Sequence, residues 1–273
     1  MEYEIRQLLF ESNEDFNQML QLQSIVYPGR VFSISGFKRW YVENPMGKVI
    51  SFNAFYGDEM VAHYACVPIK MNIDGSIVDG LLDMATVTHP DHRGKGLFKT
   101  LAKTTYDFAA ENGYEFIIGV ANGNSFPGYM KYFNFTFVSR LDVKWSFGKS
   151  RYEIPSKTFS MYWTQETLQW RLGREKYTVS KNRAYARHGN VPLFKSIMGV
   201  FNFEIKNLPK SRHFLRPFNL YVGLGVDTSG FHNFPSFIKH SPFNLIFLDL
   251  TGGKLPKINK DNIFFQLVDF DAE

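Results

Sequence analysis

The stretch "VTHPDHRGKGLFKTL", residues 87–101, constrains the fold more than any other part of the chain. It sets an arginine and two glycines between residues that read as a strand and residues that read as a helix. A helix start leaves about four N–H groups without partners and carries a partial positive charge. Gly94 and Gly96 let the backbone come close to a ligand, and Arg93 and Lys95 add charge, so the turn reads as a cradle for a pyrophosphate. Two familiar phosphate loops do not fit. A Walker loop needs Gly-x-x-x-x-Gly-Lys-Ser/Thr, and a dinucleotide fingerprint needs a third glycine where Lys99 stands.

Around this turn the first half alternates strands and helices. "YEIRQLLF" reads as an opening strand, and "NEDFNQMLQLQSIVYPG" as a helix with Phe16, Met19, Leu20 and Gln23 at helical spacing, capped at Ser12 or Asn13 and stopped by Pro28-Gly29. A short helix, "SGFKRWYVENP", ends at Pro45. The strand-like stretches "VISFNAFY", "MVAHYACVPIKMNI" and "IVDGLLDMATVT" follow, divided by Gly57-Asp58 and Asp74-Gly75. After the cradle comes a helix with Leu97, Leu101, Thr105 and Phe108 on one face, stopped at Asn112-Gly113. The strand "EFIIGVA" then completes a strand–helix–strand unit, for which a right-handed parallel crossover is expected.

At 273 residues the chain is long enough for two units of about 130 residues each. Its 28 Phe and 14 Tyr exclude a disordered chain. The single cysteine, Cys66, excludes an internal disulfide and fits a reducing compartment. The opening residues carry acids where a secretory or mitochondrial signal carries bases, and no apolar run reaches the roughly 20 residues of a membrane span. The expectation is a soluble cytoplasmic protein without a membrane partner. Charge is split: residues 1–140 hold 12 Lys+Arg against 15 Asp+Glu, and residues 141–273 hold 19 against 11. A basic second half suits an anionic small molecule; without a dense Lys/Arg run, nucleic acid is not expected. The histidines are scattered, His89 and His92 lack partners at ligand spacing, and no metal site is expected.

"THPDHRGKGLFKTL" resembles the acyl-CoA-binding signature of the GNAT acyltransferase superfamily, and "ANGNSFPGYMKYFNFTFV" is similar to the family's following Asn…Tyr…Gly-Phe segment and last strand. The resemblance covers roughly residues 1–145. Asp91 stands where the family often has Gln or Arg, and Asn134-Phe135 replaces its Gly-Phe. The resemblance implies an α/β GNAT fold with a mixed, splayed central sheet. It implies acyl-CoA as co-substrate, held by the backbone of Thr86, Val87 and Thr88, by Arg93, Gly94, Lys95, Gly96 and Leu97, and by Asn124. An amine then attacks the thioester directly, so Cys66 needs no role beyond packing.

Two proton transfers remain. The acceptor ammonium must lose a proton, and Asp83, a charge inside the apolar "GLLDMATV", is the first candidate base, with Asp79 and His63 in reserve. The departing thiolate needs an acid. Tyr129 lies nearest the family's position, with Tyr132 as rival.

The second half faintly repeats the first. "GFKRWYVENPMGKVISFNAFYGDEMVAHY" and "TLQWRLGREKYTVSKNRAYARHGNVPLF" share a helix with a Trp, a break, a strand, a turn and a strand, so that Trp40 corresponds to Trp170. No second Arg-Gly-x-Gly turn occurs. The expected domains are therefore 1–147, a catalytic GNAT unit, and 148–273, a degenerate GNAT-like unit that helps bind the acceptor. Two-unit proteins of this kind resemble N-acyltransferases acting on nucleotide-linked amino sugars of bacterial surface polysaccharides. The implied acceptor is a dTDP-linked amino sugar, with Arg171, Arg183, Arg187, Arg212 or Arg216 holding the diphosphate. Another small amine, a protein lysine, or CoA binding without catalysis stay open as alternatives. The width of the gap near Phe52, Phe55 and Met84 is expected to set acyl chain length.

Overall fold

Ser12 caps α1 (Asn13–Val26) by accepting from the amide of Asp15, whose buried carboxylate turns back to take the guanidinium of Arg6 at 3.2 Å and the amide of Leu9. This ties α1 to β1 (Glu4–Gln7) and directs Phe16, Met19 and Leu22 into the core. The helix α2 (Ile34–Tyr41) follows, capped by Ser33. The computed structural model describes residues 2–148, 154–187, 193–210, 217–235 and 242–270.

β2 (Ile50–Tyr56), β3 (Glu59–Ile73) and β4 (Ser76–Thr88) form an antiparallel meander. Its second turn is tight because Asp74 and Gly75 both take positive φ, 51° and 88°. After α3 (Leu97–Glu111), β5 (Phe116–Ala121) pairs in parallel with β4 from Gly80/Phe116 to Asp83/Gly119. The ring of Phe116 lies on Gly80, where any Cβ would come within 2.2 Å of it, so this crossing requires glycine. α4 (Phe126–Tyr132), β6 (Thr136–Arg140) and β7 (Asp142–Phe147) complete the first half.

The second half contains β8 (Phe159–Met161), α5 (Gln165–Leu172), β9 (Tyr177–Ser180), β10 (Arg183–Arg187), β11 (Phe194–Val200), β12 (Phe218–Leu224), β13 (His232–Asn233), β14 (Asn244–Asp249) and β15 (Ile263–Gln266) among the described residues. The repeat seen in the sequence is real in the sheet. β9, β10 and β11 are antiparallel and β12 is parallel to β11, as β2, β3 and β4 are antiparallel and β5 is parallel to β4. Trp40 of α2 and Trp170 of α5 meet edge to face, 5.0 Å between centroids. Trp170 Nε1 donates to the carbonyl of Arg39 at 2.9 Å, and the Arg39 guanidinium donates to the carbonyl of Trp170.

The halves do not separate at residue 147. β14, from the second half, lies between β5 and β6, and β7, from the first, pairs with β12. β8 and β15 join the two sets of strands into one continuous sheet. Strands thus cross the expected boundary in both directions: each parallel pair is extended by a strand of the other half.

Candidate active site

Beyond Asp83 and Gly119 the strands β4 and β5 are no longer paired. A cavity of about 750 Å³ opens there, lined by Met84, Thr86 and Val87 of β4, by Val120 and Asn122, and by residues of α1 and α2 with the loop between them. Ile246 of β14 and Arg174 bring the second half into its wall. In the second half the corresponding gap beyond the β11–β12 pairing is closed by the chain itself. Gln266 of β15 bonds both backbone groups of Val200, accepting from its amide at 2.7 Å and donating to its carbonyl at 3.2 Å.

Asp83 is half-buried and lines the cavity where the fork begins. The hydroxyl of Tyr64 donates to its Oδ2 at 2.8 Å, and the Tyr129 hydroxyl also bonds it. Since the one hydroxyl proton of Tyr64 is committed to Asp83, the Tyr106 hydroxyl, 2.5 Å away, donates to Tyr64. Burial pushes the Asp83 carboxyl up to about 6, against the downward pull of the hydrogen bonds from Tyr129 and Tyr64. Burial first, and then the Asp83 charge, push Tyr64, Tyr106 and Tyr129 well above the usual phenol range. The site therefore holds a carboxylate that titrates just below neutrality inside a set of phenols that keep their protons. Tyr64 and Tyr106 had no spacing signal in the sequence, because β3 and α3 bring them together from 42 residues apart.

The Gly94–Gly96 turn leads into α3 through left-handed backbone. Gly94 and Gly96 take φ of 73° and 79°, Gly96 caps α3, and the first turn has neither a side-chain cap nor an acidic residue. A Cβ at either glycine would meet nothing within 4 Å, so the backbone conformation, not crowding, is what favours glycine. Arg93 and Lys95 are exposed beside it, and Arg93 Nε donates to the Thr88 carbonyl at 3.4 Å. Thr86 and Val87 line the cavity; Thr88 lies one step past it.

Several other candidate residues lie elsewhere. His63 is fully buried and does not line the cavity. The tautomer with a proton on Nδ1 donates to Asn53 Oδ1 at 2.7 Å and accepts at Nε2 from Tyr41 at 2.7 Å, and burial drives its pKa down to about 3. It is a neutral core histidine, not a reserve base. Asp79 is exposed in an ion pair with Lys70 at 2.6 Å. Tyr132 is 45% exposed under the ammonium groups of Lys99 and Lys131 and does not line the cavity, whereas Tyr129 does and bonds Asp83. Asn124 is exposed in the turn before α4 and does not line the cavity. Its neighbours Asn122 and Ser125 do, with Asn122 Oδ1 accepting from the amides of Asn124 and Ser125. Phe52 packs on Phe108 and Phe55 is buried, so of the three expected gap residues Met84 alone faces the cavity.

Among the expected substrate arginines, Arg171 is buried and spends its guanidinium on the carbonyls of Val268 and Phe270 at 3.1 and 2.9 Å. Arg183 lines a separate open groove with Lys181 and Phe201, and Arg187 is exposed at the end of β10. Arg212 and Arg216 lie outside the described residues. The arginines that do line the cavity are Arg30, Arg39 and Arg174, which the sequence reading missed.

Fold and candidate site share a forked strand pair beside a bare helix start. Residues 9–137 match the family model described as the acetyltransferase (GNAT) domain. The match makes that segment similar to a GNAT acetyltransferase domain. No curated protein matches the sequence. Three solved structures share the fold over nearly the whole chain. A conserved protein of unknown function from Enterococcus faecalis V583 is 10% identical, with a TM-score of 0.63 over 92% of this chain and 73% of that one. A GCN5-related N-acetyltransferase from Anabaena variabilis is 11% identical, with a TM-score of 0.59 over 92% and 74%. A tandem GNAT protein from the clavulanic acid biosynthesis pathway is 9% identical, with a TM-score of 0.53 over 91% and 99%. The tandem protein matches nearly end to end, in keeping with two GNAT-like units in one chain.

Proposed function

We propose that the protein transfers an acyl group from acyl-CoA to the amine of a nucleotide-linked amino sugar, in the dTDP-linked form, by direct attack. The observation that carries the acyl-transfer reading is Asp83, a carboxylate set at the mouth of the β4–β5 fork and bonded by the hydroxyls of Tyr64 and Tyr129. Bound acyl-CoA supplies an acyl group already activated as a thioester. The amides from Arg93 to Leu97 hold its pyrophosphate, and the unpaired edge of β4 at Thr86 and Val87 holds the pantetheine amides and the thioester carbonyl. Asp83, ionised in about nine molecules of ten at pH 7 for a pKa near 6, takes a proton from the acceptor ammonium. Tyr129 gives its hydroxyl proton to the departing sulfur while the protonated Asp83, bonded to it, passes its proton to the phenol oxygen in the same step, so that no free phenolate forms. As the N–C bond forms and the C–S bond breaks, the proton taken from the ammonium ends on the thiol, and the second proton of the attacking nitrogen leaves to solvent as the amide forms.

The nucleotide-sugar part of the reading is supported by the basic and aromatic lining: Arg30, Tyr27, Phe32 and Phe37 surround the cavity on the α1–α2 side. A thermal-shift titration with acetyl-CoA, dTDP and both separates the parts. Stabilisation by each supports the whole reading, while stabilisation by acetyl-CoA alone removes the dTDP-linked acceptor. Amide exchange adds a local check, because CoA that leaves residues 93–98 unprotected refutes the cradle.

A further inference from the structure

Two arginines from opposite halves of the chain face the cavity together. Arg39 belongs to α2 and Arg174 follows α5; both line the cavity, and Arg30 stands exposed at its edge. Asp83 is the sole acidic residue in the described lining, so the wall carries more positive than negative charge. The position of Arg39 is fixed by its two bonds with Trp170, one from its guanidinium and one to its carbonyl. Behind it, Arg171 stacks over Trp40 with Cζ 4.9 Å from the ring centroid. Arg174 lies over Tyr177 with Cζ 5.5 Å from the centroid, and its Nε is buried without a hydrogen-bond partner, as is Nη1 of Arg171.

None of the ion pairs among the described residues involves Arg39, Arg171 or Arg174. Burial, and then the nearby Arg174 charge, pull the Arg39 pKa down; the exposed Glu43 is the carboxylate whose charge reaches it. Arg39 and Arg174 share the cavity wall without an ion-paired carboxylate, so their charges repel, and a bound anion removes that repulsion. Each guanidinium presents a flat fork of N–H groups, which suits tetrahedral phosphoryl oxygens, and the summed charge matches a phosphoryl group better than a single carboxylate.

We propose that Arg39 and Arg174 form a phosphoryl-binding site for the acceptor, with one residue from each half. The proposal rests on the acyltransferase reading above and adds to it the residues that select the acceptor. It also gives the second half a direct part in recognition, although that half has no open fork of its own.

The test is calorimetric titration of inorganic pyrophosphate into the full chain saturated with CoA, so that the Gly94–Leu97 cradle is already filled. Wild type is expected to bind pyrophosphate, and Arg174→Gln to bind it about ten- to a hundredfold more weakly, the range for losing a charged hydrogen-bonding partner. CoA affinity is expected to be equal in the two proteins. Arg39→Lys, which keeps the charge but not the fork, serves as the second variant and is expected to weaken pyrophosphate in the same way. Equal binding by wild type and Arg174→Gln, or no binding by CoA-saturated wild type, overturns the proposal. Malonate binding as tightly as pyrophosphate overturns the choice of phosphoryl over carboxylate. If CoA itself does not bind, the acyl-CoA reading fails, and the comparison of wild type with Arg174→Gln in pyrophosphate alone still decides the site.

Discussion

Asp83 carries a cost that the proposed role as base would explain. Its carboxyl is raised from the ordinary 3.8 to about 6 because burial penalises the charged form more than Tyr129 and Tyr64 compensate. A group whose folded pKa lies above its unfolded one gives its full stabilisation below the unfolded value and loses it as pH rises through the folded value, here between about pH 4 and 6. Asp83→Asn is therefore expected to be more stable than wild type at pH 8 by about 1–3 kcal/mol, a gap that closes at pH 4 and is measured by chemical denaturation at the two pH values. The same variant is expected to lose about 10²- to 10⁴-fold in kcat, the usual worth of a general base. In wild type, kcat/KM is expected to rise with pH through about 6 and to lose that limb in the variant. A wild-type profile that is flat from pH 5 to 8 would remove Asp83 as the base. Because the Tyr129 hydrogen bond holds the carboxyl down, Tyr129→Phe is expected to move the limb to higher pH as well as to lower kcat. A structural tyrosine would lower stability without shifting the limb. His63 and Asp83 looked alike in the sequence, each a polar residue in an apolar strand. Only the pairing of the strands showed that His63 is enclosed while Asp83 stands where pairing stops.

The strand–turn–helix element was legible because its causes are local. Positive φ at Gly94 and Gly96, the bare first turn of α3, and the stop at Asn112-Gly113 are all set by residues within a few positions of one another. The meander was legible for the same reason, through the alternation of β2, β3 and β4 and the Asp74-Gly75 turn. The arginines that line the cavity were not legible. Choosing Arg171 over Arg39 and Arg174 depends on which way α5 faces, and that is decided by the packing of Trp40 on Trp170, 130 positions apart in the chain. Gly96→Ala tests the element directly. The added Cβ meets no atom, so the expected loss of about 1–2 kcal/mol in stability is conformational strain alone, and straightening the turn is expected to weaken CoA. Denaturation and CoA titration measured together check this: unchanged stability and unchanged CoA affinity would show that the left-handed backbone is not needed.

At the scale of the whole molecule the two halves are tied by what they exchange. β14 brings Leu245, Ile246 and Phe247, all buried, to the edge of β5 opposite the cavity fork, and Ile246 reaches the cavity wall. Burying three such side chains is worth about 5–9 kcal/mol, which is on the scale of the whole stability of a domain. Removing β14 would also leave the apolar strand β5 with an open edge, a surface that pairs with other chains. In return, β7 leaves the first half, and its six residues Asp142–Phe147 pair with β12 from Gly223 to Phe218. Fragment 1–147, although it contains the cradle, Asp83 and the whole segment matched by the family model, is therefore expected to be insoluble or molten when made alone. Co-expression with fragment 148–273 is expected to restore a folded complex that binds CoA. Solubility, amide dispersion in NMR spectra and CoA titration of the two preparations check this. A soluble, dispersed fragment 1–147 that binds CoA would show that strand exchange is dispensable and that the second half is an appendage. A fragment that folds only with its complement would show that the catalytic fork exists because the second half holds its outer strand in place.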